Sequence, residues 1–178
     1  MKLRHLSVAL TGVLLAATSL VVSPASAVSL SQQQLGVVAN NCYVGQVGMQ
    51  HLRRDDVVLR INLGNLYGAV VAQASAFTTR LGNDNVKSKA ITSTTQLLNS
   101  SENQFQNDFN NYAILLENGL SLNCASNPQQ FYNILTETQE ARADTNRDVQ
   151  SLNQQLGQYI QEISALKPPT SGQQGATQ

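Results

Sequence analysis

The feature that most constrains this chain is an unbroken heptad pattern near its C-terminal end. From Phe131 to Leu166, mostly apolar seam residues recur at alternating steps of four and three. A seam of this kind is typical of a long α-helix that packs against other helices along its whole length. Pro168 and Pro169 follow at once and end the pattern. The sequence therefore predicts a helix from about residue 128 to 166.

Two earlier segments repeat the helical period, and only short turn-like stretches separate the three. The first runs from about residue 41 to 82, with Leu59 and Leu66 among its seam residues, and the second from about 85 to 121. At about 1.5 Å of rise per residue, each helix extends roughly 55 to 63 Å. Matched lengths and short connections favour antiparallel packing. The predicted fold is all-α, an elongated antiparallel three-helix bundle with helices at about 41–82, 85–121 and 128–166.

The two ends of the chain differ from the bundle. Residues 1–27 combine a basic start, an apolar run and the sequence SPASA, which is typical of a secretory signal peptide cleaved before Val28. Retention of this segment as a membrane anchor is the alternative, although the apolar run is near the lower length limit for a span. Residues 28–166 are expected to form one domain that begins with a short helical segment. The polar residues 167–178 are expected to be disordered.

The two cysteines lie far apart in sequence, but the predicted topology brings them together. In an up-down-up bundle, the start of the first helix and the second turn lie at the same end, so Cys42 and Cys124 become neighbours. Export to an oxidising compartment favours a disulfide, and two cysteines allow one intramolecular pairing. The rival interpretation is two separate thiols that serve as a redox pair or a metal site. It lacks a C-x-x-C motif and further ligands, so no metal site is predicted.

Charged residues interrupt the three seams at one level of the bundle. Counting along the antiparallel helices places Asp56, Asp108 and Arg142 in the same layer. We therefore expect a buried ion pair between Arg142 and at least one of the aspartates. Such a layer specifies helix register but adds little net stability, because desolvation offsets the Coulomb attraction. The second interpretation is that these carboxylates bind a polar ligand or carry out acid–base chemistry.

Charge and motif content argue against several classes of function. Without Lys2 and Arg4, the chain keeps 9 basic and 11 acidic residues, and it lacks the basic stripe that nucleic-acid binding requires. His51 is then the only histidine, and the sequence has neither a glycine-rich phosphate loop nor a nucleophile motif. No catalytic centre, cofactor or nucleic-acid partner is therefore predicted.

The remaining functional hypotheses depend on export and on helix surfaces. The leading hypothesis is an exported, non-catalytic bundle of the bacterial cell envelope or exterior that acts through contacts with another protein or with the envelope. After signal cleavage, no segment is expected to span a membrane. The alternative is a carrier of a small apolar ligand or lipid, with the Thr- and Ser-containing first half of the second helix as its pocket wall. The sequence specifies neither the partner nor the oligomeric state.

Overall fold

The computed structural model describes residues 29–166, and their regular secondary structure is helical throughout. Within that range the α-helices are α1 Gln32–Asn40, α2 Cys42–His51, α3 Val58–Asn83, α4 Lys89–Ser121 and α5 Pro128–Ser164. A π-helical segment, Leu52–Val57, joins α2 to α3 without a break. The predicted all-α bundle with a short N-terminal helix is confirmed. The predicted signal peptide, 1–27, and tail, 167–178, lie outside the described residues.

Three long helical bodies lie side by side in an up-down-up order. The first consists of α2, the π-helical segment and α3; α4 runs antiparallel to it, and α5 returns parallel to it. The contact between α4 and α5 is the most extensive, and α3 packs mainly on α4. Long side chains bridge the first body and α5 at four levels, where hydrogen bonds join Asp56 to Arg142, Arg60 to Asn146, Tyr67 to Asn153 and Ala74 to Tyr159. The offset of 85 or 86 residues in every pair sets the register of these two helices.

Local sequence signals set the start of two helices. At α1, Ser31 and Gln34 form a capping box, in which each side chain accepts a hydrogen bond from the backbone N–H of the other residue. The helix α4 starts at Lys89 rather than near residue 85, because Ser88 caps it through the N–H of Ile91. In the turn before it, Asn85 adopts the left-handed conformation with φ of 58°.

The disulfide joins Cys42 and Cys124 at one end of the bundle, as predicted. Their Cα atoms are 5.5 Å apart, within the range that a disulfide requires. Cys42 is the first residue of α2, and Cys124 lies buried in the turn between α4 and α5. The bond therefore connects the start of the first long body to the connection between the other two.

Two glycines allow α2 to lie directly on the other helices near the disulfide. A Cβ atom on Gly119 of α4 would collide with the side chain of Met49, and one on Gly45 would collide with the ring of Phe131. Both neighbours are fully buried, so neither has room to move away. Glycine is required at these positions for close approach and not for an unusual backbone conformation.

The apolar core consists of two clusters that meet in the middle of the bundle. The cluster at the disulfide end contains Met49, Tyr112, Leu116, Cys124, Phe131 and Ala141. The cluster towards the α3–α4 turn contains Tyr67, Val71, Ala74, Ile91, Leu98, Phe105, Leu152 and Tyr159. Phe109 packs against both clusters, so the core is continuous. Among residues 29–166, no helix combines the length and the apolar character needed to cross a bilayer.

Candidate functional site

The predicted charged layer centres on Asp56, which lies in the π-helical segment. Its Oδ2 atom accepts three hydrogen bonds, from Nε of Arg142 at 2.9 Å, the hydroxyl of Tyr112 at 2.8 Å and Nε of Arg60 at 3.2 Å. The side chain of Asp56 is 12% exposed and that of Arg60 is 5% exposed. Two cationic donors and one phenol therefore compensate the removal of this carboxylate from water.

The three hydrogen-bond donors favour the ionised form of the Asp56 carboxyl. Burial acts to raise the pKa of its carboxyl, but hydrogen bonds from Arg142, Tyr112 and Arg60 outweigh burial and lower the pKa below its usual value. Burial and the hydrogen bond to Asp56 raise the pKa of the Tyr112 phenol far above its usual value. Because the pKa of Asp56 is lowered on folding, its contribution to stability is complete above the ordinary aspartate pKa. That contribution is lost as the pH falls through the lowered pKa.

Two of the three residues predicted for this layer come together, and the third does not. Arg142 binds Asp56, although the Arg142 side chain is 44% exposed and is therefore not the buried cation that we expected. Asp108 is not part of the group. It accepts a hydrogen bond from Gln104 at 2.8 Å and faces Asp148 of α5. On α4 it is Tyr112, one turn after Asp108, that lies level with Asp56, so counting levels misplaced Asp108 by about one turn.

The buried cation of the group is Arg60, which the heptad pattern left outside the seam. That pattern predicted Leu59 and Leu66 in the core, yet each is 56% exposed, while Arg60 and Tyr67 are buried. The π-helical segment explains the difference, because its wider turn takes up one extra residue and moves the buried face from Leu59 and Leu66 to Arg60 and Tyr67. Farther along α3 the predicted seam residues Ala74, Phe77 and Leu81 still pack in or against the core. The available sequence signal was the four-residue spacing from Asp56 to Arg60, which suits an ion pair along a helix.

Arg60 connects α3 to both other long helices. Its Nη2 atom donates to Oδ1 of Asn146 on α5 at 2.9 Å, and its guanidinium lies 5.6 Å from the ring centroid of Tyr112 on α4. Together with Asp56 and Arg142, these side chains form what we call the Asp56 group. Both arginines bind its single carboxylate, which suits the specification of register better than acid–base chemistry. Nowhere in residues 29–166 do three or more His, Cys, Asp or Glu side chains gather as metal ligands would.

Deleting Asp55 would test whether the π-helical segment is a one-residue insertion into a regular helix. The segment then closes to an ordinary α-helix, and the later seam residues from Arg60 to Ala74 keep their places. We expect the disulfide to form and the melting temperature to stay within a few degrees of that of the unaltered chain. Deleting Asn62, which is exposed in the regular part of α3, turns the following seam residues off the core and should destabilise strongly. Equal losses in thermal melts of the two deletions would contradict this explanation.

A second surface feature is an open groove between α3 and α5, with a volume of about 590 Å³. Its walls are mainly apolar, and Arg80 stands among them. Leu59 and Leu66 continue the line towards the π-helical segment, because they precede Val70 by 11 and 4 residues and so share its face. On α3 the line extends roughly 27 Å. We call this surface the α3–α5 strip, and it consists of Leu59, Leu66, Val70, Phe77, Ile160 and Ile163.

The Asp56 group and the α3–α5 strip are structurally linked. The shift that buries Arg60 in the group is the shift that exposes Leu59 and Leu66 in the strip. The function of the chain is therefore inferred from the Asp56 group and the α3–α5 strip. No family model matches the chain, and neither a curated protein nor a solved structure matches it significantly.

Proposed function

We propose that this chain is an exported, non-catalytic protein of the bacterial cell envelope or exterior that binds an amphipathic helix of another protein along the α3–α5 strip. The main observation behind the proposal is that the π-helical segment exchanges a buried leucine face for a buried arginine. It buries Arg60 and leaves Leu59 and Leu66 more than half exposed. π-Helical turns inside α-helices are frequent at functional sites, which supports a functional reason for the exchange.

The energetics of the exchange favour a bound partner. Fully burying a leucine side chain is worth about 1.5–3 kcal/mol, and an arginine is seldom buried unless it is paired. A seam without the shift would bury Leu59 and Leu66 and keep Arg60 in water. A partner that covers both leucines recovers the apolar burial that the free protein lacks. This reasoning explains why an arrangement that is unfavourable for an isolated bundle is useful for a binding protein.

The shape and charge of the strip favour a helix as its partner. On α3 the apolar residues of the strip follow steps of seven, four and seven, the spacing with which one helix receives the side chains of another, and of these Leu59 and Leu66 are exposed while Val70 and Phe77 are half-buried. The helices α3 and α5 are parallel, so a partner helix lying between them would complete a four-helix arrangement. Arg80 lines the groove with an exposed side chain, which favours an acidic residue beside the apolar face of the partner.

The disulfide supports the exported location. Disulfides persist in oxidising compartments and are rare where thiols are kept reduced. The bond between Cys42 and Cys124 closes a separation of 82 residues, and no described cysteine remains free. An oxidising compartment outside the cytoplasm is therefore the setting in which this fold has its full stability.

A carrier of a small apolar ligand or lipid is the second candidate. The volume of the groove, about 590 Å³, falls within the range of small-molecule sites. In the first half of α4, Thr94 and Thr95 are buried and hydrogen-bonded, whereas Thr92 and Ser93 line a separate open pocket of about 440 Å³ beside the α3–α4 turn. An apolar ligand in the larger groove would compete with the partner helix for the α3–α5 strip.

Photocrosslinking in the producing cells distinguishes the two candidates. A photoreactive amino acid at Leu66 should crosslink to another exported protein, and mass spectrometry should map the link to an amphipathic helix. The same group at Asn103, exposed on α4, is the matched control. In a chain that also carries Leu59→Glu, the crosslink at position 66 should fall at least tenfold, with the free energy of unfolding changed by only about 0.5 kcal/mol.

Each other outcome of this experiment contradicts the proposed partner. A crosslink to lipid at position 66 favours the carrier. A crosslink to a second copy of the chain would show that the strip mediates self-association and does not bind another protein. Crosslinking at position 66 that is no stronger than at position 103 would show that the strip is not a binding surface.

A further inference from the structure

Three polar layers cross the seam between α4 and α5 at intervals of seven residues. In the first, Gln155 Nε2 donates to Oγ of Ser101 at 2.8 Å, and in the second, Thr94 Oγ1 donates to Oε1 of Glu162 at 2.9 Å. The third layer consists of the carboxyls of Asp108 and Asp148, which are in hydrogen-bond contact. The antiparallel register is constant across the layers, which are Asp108–Asp148, Ser101–Gln155 and Thr94–Glu162.

Each α5 side chain in these layers has one buried oxygen without a hydrogen-bond partner. The three atoms are Oδ2 of Asp148, Oε1 of Gln155 and Oε2 of Glu162. A buried acceptor left unpaired costs free energy, and a buried negative charge left unpaired costs more. A carboxyl can remove this cost by taking up a proton, whereas an amide cannot. The layer that contains Asp148 can therefore respond to pH, whereas the layer of Gln155 cannot.

The layer of Asp108 and Asp148 has the strongest reason to hold a proton, because it places two carboxyls in contact. Burial and the contact with Asp108 raise the pKa of Asp148 to about 6, and the charge of Arg147 opposes them only in part. Within this layer, Gln104 of α4 donates to Oδ2 of Asp108. Protonated Asp148 would then donate to Asp108, and one proton is shared between the two acids.

The charged neighbours of this pair are engaged elsewhere. On α5, Arg147 forms an ion pair with Asp144, one turn from Asp148. On α3, the buried Arg60 binds Asp56 and Asn146. On α4, Gln104 is a neutral donor to Asp108. Ionisation of both acids would therefore leave two like charges in contact at the α4–α5 seam.

We propose that the contact between Asp108 and Asp148 is a pH-sensitive element that joins α4 to α5 in mildly acidic surroundings and weakens when both carboxyls ionise. The proton leaves Asp148 for water, and the two carboxylates then repel each other across the seam. The proposal is independent of what binds the α3–α5 strip. The element makes the bundle more stable in mildly acidic than in neutral surroundings.

The sign of the pH effect follows from the direction in which folding changes the pKa of Asp148. The pKa of Asp148 is raised from 3.8 to about 6, so its stabilising contribution is complete below 3.8 and is lost as the pH rises through about 6. Asp56 acts in the opposite sense, because its pKa is lowered and its contribution is lost in strong acid. The combined contribution of these two groups is therefore largest in mild acid.

Thermal and urea unfolding of the full chain between pH 4.5 and 7.5, at constant ionic strength, tests the proposal. A pKa raised from 3.8 to about 6 would lower the folding equilibrium constant by about tenfold as the pH rises from 5 to 7, and because Asp148 is partly exposed we expect a fall of about three- to fivefold. Asp148→Asn can still donate to Asp108 but cannot ionise, so most of this fall should disappear. The matched control Glu162→Gln removes a carboxyl from a layer without a second acid and should retain the fall.

Two results would overturn the proposal. One is an Asp148→Asn chain that shows the same pH dependence as the unaltered protein. The other is an NMR titration of the unaltered protein in which the carboxyl carbon of Asp148 completes its titration below about pH 5, in the range of unperturbed aspartates. The titration needs no substitution, so it decides the question even if a variant fails to fold.

Discussion

The double substitution Cys42→Ala with Cys124→Ala should lower the free energy of unfolding by about 4 to 5 kcal/mol. In the chain-entropy account, a cross-link stabilises by restricting the unfolded chain, and the effect grows with the length of the closed loop. Here the joined residues are 82 positions apart, so the loop is long. The Cα separation of 5.5 Å is ordinary for a disulfide.

Urea unfolding of the oxidised, reduced and doubly substituted chains measures this effect. Reduction should destabilise the unaltered chain by nearly as much as the double substitution does, and reductant should leave the substituted chain unchanged. The loss should be greatest in α1 and α2, which hydrogen exchange can follow, because the bond attaches the start of α2 to the α4–α5 turn. A loss below about 2 kcal/mol would contradict the expectation and would indicate that the reduced unfolded chain remains compact.

Replacing Asp56 by alanine should cost about 3 to 5 kcal/mol. Without the carboxylate, Arg60 remains buried with its charge uncompensated, and the hydroxyl of Tyr112 loses its acceptor. Asp55→Ala is the matched control, because Asp55 is the adjacent residue, 63% exposed, and pairs only with Arg54 at the surface. The control should leave the melting temperature unchanged, and an equal loss in both variants would show that the Asp56 group is solvated.

A thermodynamic cycle separates the charge of Arg60 from its packing. Adding Arg60→Met to Asp56→Ala should recover much of the loss, because no buried charge then remains in the group. Arg142→Met alone should cost only about 1 kcal/mol or less, since an arginine that is 44% exposed contributes as a surface ion pair does. This order reverses the expectation from sequence, in which Arg142 was the buried partner. A larger loss for Arg142→Met than for Asp56→Ala would restore that expectation.

The sequence by itself determined the helical architecture and its topology. Apolar spacing, Gly82 and Pro128 specify three long helices, since side-chain period and turn chemistry are local properties of the backbone. Short connections leave only antiparallel reversals, and from them the neighbourhood of Cys42 and Cys124 follows. The parallel offset of 86 residues, which joins Asp56 to Arg142, follows from the same counting.

The tertiary structure decided which face of the first helix enters the core. The extra residue in the π-helical segment moves Arg60 inward and Leu59 and Leu66 outward, and no local period predicts it. It also decided that Asp108 faces Asp148 across the α4–α5 seam. Both outcomes depend on how each helix is rotated about its axis and on which side chains of the three helices fill the shared core. A sequence pattern gives the period of each helix separately, so it does not show how the helices are rotated relative to one another.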